Sequence, residues 1–132
     1  MMQILQPPGW ARPKGFSHGI AASGRLVFIA GQVGYTGAGK WEASDFAGQF
    51  RQALQNILKI LEQAKGKPEH IVRLTWYVLD KQEYLNSLKA VGEAYRELMG
   101  KHYPTMAVVQ VSGLVEDDAR LEIEATAVLP EK

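Results

Sequence analysis

Residues 45–78 read DFAGQFRQALQNILKILEQAKGKPEHIVRLTWYV, and the hydrophobic period changes once inside that stretch. Phe46, Phe50, Ala53, Leu54, Ile57, Leu61 and Ala64 recur at intervals of three and four, separated by Gln52, Gln55, Asn56, Lys59 and Glu62. That is the spacing of an amphipathic helix. Ser44 or Asp45 can accept the orphan N–H groups at its start, while Lys65, Gly66 and Pro68 supply a cationic end, a C-cap and a stop. From His70 to Val78 the period falls to two, with Leu74, Trp76 and Val78 alternating against Arg73, Thr75 and Tyr77. β-Branched and aromatic enrichment makes this a strand.

On the N-terminal side, residues 26–30 (LVFIA) form an apolar run that stops at Gly31, and residues 17–22 precede it across the turn signal Ser23-Gly24. A hairpin is predicted there. Residues 34–40 (GYTGAGK) have no periodicity and read as a loop. On the C-terminal side, Asp80 followed by Glu83 has the capping-box spacing, and Leu85, Leu88, Val91, Tyr95, Leu98 and Met99 continue a second helix toward Gly100. Residues 106–111 and 120–129 are closing strands joined by the loop SGLVEDDA.

The order ββαβαββ contains two strand-helix-strand crossovers, so the expected fold is α+β, one mixed sheet with both helices on one face. Along the last strand Leu121, Ile123, Ala125 and Ala127 point one way, and Glu122, Glu124, Thr126 and Val128 the other. The second face is semi-polar and uncovered, which predicts self-association.

The 132 residues suit a single domain, 1–132, burying about two-thirds of the unfolded chain's surface. Hydrophobic residues at 46% and charged residues at 22% place it among globular proteins. Fifteen Lys plus Arg against fourteen Asp plus Glu leave a net charge of +1, which gives little general pull toward nucleic acid or anionic membranes. The absence of cysteine removes disulfides, thiolate nucleophiles and Cys-based metal sites. With no apolar leader and no long apolar span, a cytoplasmic location without membrane contact is expected.

Several patterns carry possible chemistry. Residues 34–40 satisfy G-x-x-x-x-G-K after a strand, but Trp41 follows where a phosphate loop needs Ser or Thr, and the helix begins too late. His18, His70 and His102 sit in different elements without helical pairing, so satisfied or surface histidines are the plainer reading. Ser17 and His18 are adjacent on extended chain and point to opposite faces, which disfavours a nucleophile and base. Glu122 and Glu124 share a strand face at roughly 7 Å, compatible with acid and base work, although a solvated face explains them as well. Arg73, Thr75 and Tyr77 are the nearest approach to a nucleic-acid-binding sheet face, and no nucleic acid is expected.

Read together, Gly15-Phe16-Ser17-His18-Gly19, Val27-Phe28-Ile29-Ala30-Gly31-Gln32, Gln52-Ala53-Leu54-Gln55-Asn56, Thr75-Trp76-Tyr77-Val78-Leu79-Asp80 and Leu121-Glu122-Ile123-Glu124-Ala125 resemble the RidA/YjgF family in order and spacing. These are the reactive-intermediate deaminases, once described as L-PSP endoribonucleases. The resemblance implies a chorismate-mutase-like subunit and a homotrimer with small-molecule clefts between neighbouring subunits. It also implies hydrolysis of enamines and imines without a cofactor, an Arg pairing with the substrate carboxylate and a Glu holding the water.

The carry-over is uneven. Glu122 matches the water-holding Glu, and Gly31 the backbone-donating glycine. The Pro-Ala-Arg motif is Pro104-Thr105-Met106 here, so Met106 stands where the carboxylate-binding Arg is expected. Phe16 replaces a Tyr, Ala30 a Ser, Val108 a small thiol and Gly92 an Asn. The cleft is therefore expected to be apolar. A non-catalytic member binding a neutral or apolar metabolite is the preferred expectation. The alternative is a hydrolase acting on C=N or enamine bonds through Glu122, assisted by His18, Arg12 or Arg120 of an adjacent subunit. A ribonuclease reading rests on the older family description alone.

Overall fold

The computed structural model describes residues 2–131. The elements are β1 (Met2–Leu5), β2 (Gly19–Ala22), β3 (Arg25–Gln32), α1 (Phe46–Gln63), a 3-10 turn at Pro68–His70, β4 (Ile71–Val78), α2 (Lys81–Asn86), α3 (Leu88–Met99), β5 (Thr105–Gln110) and β6 (Leu121–Leu129). Four strands form the main sheet in the order β3-β6-β4-β5. β4 and β5 run parallel, while β6 is antiparallel to both β3 and β4. The fold is thus a mixed α+β arrangement, as the pattern of periods implies.

α1 buries Phe50, Leu54, Ile57 and Leu61 against the sheet, each contributing about 1.5–3 kcal/mol by removal from water. The sheet answers with Leu74, Trp76 and Val78 of β4 and Leu121, Ile123, Ala125 and Ala127 of β6, while Val91, Ala94 and Tyr95 of α3 join the same core. Both long helices lie on this one side. Phe50 stacks on Trp76 with ring centroids 4.7 Å apart, an offset aromatic pair at the centre of the layer.

Four local expectations are corrected. Residues 17–22 and 26–30 do not make a hairpin: β2 pairs antiparallel with β1, a strand not foreseen before Pro7-Pro8, while β3 joins the other sheet. Gly24 has φ +146, and a Cβ there would lie 3.0 Å from the carbonyl carbon of Leu129, so the turn is pressed against the end of β6. The second helix is two helices, interrupted at Ser87, whose hydroxyl donates to the Glu83 carbonyl at 2.8 Å. Asp80 does cap α2, accepting from the Gln82 N–H at 2.9 Å, but Glu83 turns away to pair with Arg120. At the end of α1 it is Lys65, not Gly66, that takes a left-handed conformation, with φ 63. Lys65 and Gly66 donate to the carbonyls of Glu62 and Leu61, the paired bonds of a Schellman ending.

No helix among the described residues is long and apolar enough to cross a membrane.

Candidate functional site

Register divides the expected site residues between the two faces of the sheet. Trp76 pairs with Val108 and Ile123, whereas Tyr77 pairs with Val109 and Glu122. Because side chains alternate along a strand, Met106 and Val108 share the helix-covered side and Glu122 the open side.

On the helix side a cavity of about 550 Å³ is walled by Phe16, Trp76, Tyr84, Met106 and Val108, with Leu88, Val91 and Gly92 along α3. That volume falls in the range of small-molecule sites. The segment ahead of β2 closes one end: Ser17 N–H donates to the Pro104 carbonyl at 3.1 Å and its hydroxyl to the Tyr103 carbonyl at 2.5 Å. Phe16 is thereby fixed beside Met106, and His18 is set edge-on to both Trp10 and Phe16. Tyr95 and Tyr103 stack with an interplanar angle of 6°. Burial pushes the Tyr84 and Tyr95 phenols up, so both remain O–H donors at neutral pH; the Tyr95 hydroxyl donates to the His102 carbonyl.

The cavity is not wholly apolar. Lys14 and Arg96 also line it, a feature sequence reading missed because Arg96 occupies an ordinary solvent-side position of a helix. The signal was Gly92, one turn earlier: a Cβ at that position would lie 3.3 Å from Arg96 Nη1.

On the open face, Glu122 lies against β3. A Cβ on Gly31 would sit 2.7 Å from Glu122 Cδ, so the missing side chain makes the room the carboxylate occupies. The strand is irregular between Ile29 and Gln32, which puts Ala30 and Gly31 in a bulge. The two carboxylates of β6 differ. Glu124 accepts a short hydrogen bond from the Tyr77 hydroxyl, the chief cause of that phenol's raised pKa. Glu122 makes no hydrogen bond or ion pair among the described residues. The same face carries Leu26, Phe28 and Val109, with Phe28 74% exposed.

Of the residues named from sequence, Phe16, Gly92, Met106 and Val108 therefore meet in the cavity, whereas Ala30, Gly31 and Glu122 lie outside it. His70, His102 and Arg120 have structural roles. His70 Nδ1 accepts from the Lys67 N–H, and His102 Nε2 contacts the Ile71 carbonyl at 2.6 Å. Arg120 donates to the Ser44 carbonyl and to Glu83. Residues 34–40 form a tight turn in which Thr36 N–H donates to Lys40 and Gly39 N–H to Thr36, so those amides are not free to cradle phosphate. No group of three potential metal ligands occurs among the described residues.

The fold and the paired site features define a small α+β protein with a side-chain cavity on one sheet face and a glycine-seated glutamate on the other. The family model described as Endoribonuclease L-PSP matches residues 10–129. A RutC family protein of Pyrococcus horikoshii is 33% identical over 96% of this chain and 98% of its own length. A 2-iminobutanoate/2-iminopropanoate deaminase of Salmonella typhimurium is 33% identical over 80% of each chain. Among solved structures, a conserved Rid family protein of Yersinia pestis superposes with a TM-score of 0.85 at 30% identity, covering 97% of this chain and 98% of the other. The chain belongs to the RidA/YjgF family.

Proposed function

We propose that this protein is a homotrimer with a small-molecule cleft at each subunit boundary, and that it hydrolyses an imine or enamine there. The carrying observation is Glu122, an unpaired carboxylate seated in the space left by Gly31. Such a group takes a proton from water as the oxygen adds to the C=N carbon of the protonated imine, the form an imine reaches by taking a proton from solvent on nitrogen and an enamine by taking one at its β-carbon. The carbinolamine so formed releases ammonia and leaves a carbonyl product. Because the cavity and Glu122 lie on opposite faces of one sheet, a cleft using both takes the cavity of one subunit and the glutamate of its neighbour. Exposed Leu26, Phe28 and Val109 on the open face favour that burial.

A second reading, binding of a neutral or apolar metabolite without turnover, is favoured by Met106, which carries no charge. Freshly generated 2-aminoacrylate and branched-chain imines separate the two. Hydrolysis is expected from the wild type, with a loss of about 100-fold or more in Glu122→Gln. Saturable binding without turnover, unchanged in Glu122→Gln, establishes the second reading instead.

A further inference from the structure

We infer that Arg96, projecting from α3 over Gly92, is the anion-binding residue of the cavity, and that the ligand is a small carboxylic acid with a bulky apolar or aromatic body. The inference deepens the reading above and rests on it only for the cavity being the ligand site. Three observations carry it. Arg96 lines the same cavity as Met106. Its Nη1 lies where even a methyl group on residue 92 would crowd it, at 3.3 Å, so the glycine provides the seat; an Asn there would compete for the same space. Neither Arg96 nor Lys14, the other cation at the cavity, joins the ion pairs found among the described residues, which are Arg51–Glu97 and Arg120–Glu83.

The planar guanidinium matches a carboxylate through two parallel N–H bonds. Phe16, Met106, Val108 and Leu88 offer the apolar surface for the rest of the molecule, and the thioether of Met106 adapts to aromatic shapes. The positive charge that position 106 lacks is thus supplied from α3 of the same chain.

Calorimetric titration of the full-length protein with benzoate, benzamide and phenyl phosphate tests this. Benzoate is expected to bind the wild type about tenfold tighter than benzamide, the gain ordinary for a hydrogen bond to a charged group. Arg96→Gln, at an exposed helix position that leaves folding intact, abolishes that preference, and adding Met106→Arg to it restores the preference from the other side of the cavity. Equal affinity for benzoate and benzamide, or a preference that survives Arg96→Gln, overturns the inference, as does tighter binding of phenyl phosphate than of benzoate. These titrations are independent of turnover: failed imine hydrolysis strikes the hydrolase reading and leaves the Arg96 result standing.

Discussion

The carboxylate of Glu122 fills the volume that a side chain on residue 31 would occupy, with Cδ 2.7 Å from where that Cβ would stand. The obstructed atoms, Oε2, Cδ and Cγ, all belong to one flexible side chain and none to the backbone, so an added methyl is accommodated by turning Glu122 about its Cα–Cβ bond. Gly31→Ala is therefore expected to change stability by less than about 1 kcal/mol in urea denaturation, yet to lower imine hydrolysis by about tenfold or more through misplacement of the base.

The two glutamates of β6 are expected to separate in kinetics. Glu124 is engaged by the Tyr77 hydroxyl, whereas Glu122 is not. Glu124→Gln should keep hydrolysis within about tenfold of wild type while lowering the Tyr77 phenol pKa toward its ordinary value of about 10, followed by ultraviolet titration. Equal losses in both glutamine variants would remove the distinction.

Gly34 is a packing glycine of the opposite kind. A Cβ there would lie 2.6 Å from Gln49 Cβ and 2.8 Å from its Cα, atoms of a helix that cannot rotate away. Gln49 itself is 2% exposed, donates to the carbonyls of Ala43 and Asp118 and accepts from the Arg120 N–H. Gly34→Ala is expected to cost about 1–3 kcal/mol by overpacking, and Gln49→Ala a similar amount by leaving buried backbone groups unpaired. Both are read from the urea midpoint at constant slope.

A pH dependence follows from Arg51 and Glu97, which join α1 to α3 at 2.9 Å. Hydrogen bonding to Arg51 first, and its charge second, holds the Glu97 carboxyl below its ordinary value. A depressed folded-state pKa contributes stability above the unfolded value, about 4.3, that is lost as pH falls through the lower folded value. Glu97→Gln should therefore narrow the difference in urea midpoint between neutral and acidic solution. The effect should be small and diminished by salt, because both side chains are exposed.

The proposed assembly predicts a sedimentation mass near three times 14.6 kDa. Phe28→Glu, which sets a charge on the open face opposite Thr126, should shift the protein toward the monomer and abolish turnover together with it.

Much of this architecture was legible because its determinants are periodic. α1 and β4 were readable residue by residue, since Phe50 through Leu61 and Leu74 through Val78 must each present one apolar stripe to one core. What escaped depends on single contacts. Ser87 breaks a continuous amphipathic pattern through one hydroxyl bond to the Glu83 carbonyl, and β1 is four residues whose partner lies beyond three prolines. The same holds at the site. Met106 and Gly31 were visible as residue types in register, whereas Arg96 became notable only once α3 was packed beside β5, because a helix surface arginine has no periodic signature of its role.

The placement of the cavity and Glu122 on opposite sides of one sheet means that, in the proposed trimer, a defect in either half is confined to different clefts. Subunits carrying Glu122→Gln still offer an intact cavity, and subunits carrying Arg96→Gln still offer an intact glutamate. The two impaired preparations, unfolded together and refolded as mixed trimers, would regenerate some wild-type clefts wherever the right faces meet. Each alone would fall below the wild type, and their mixture would recover part of the difference.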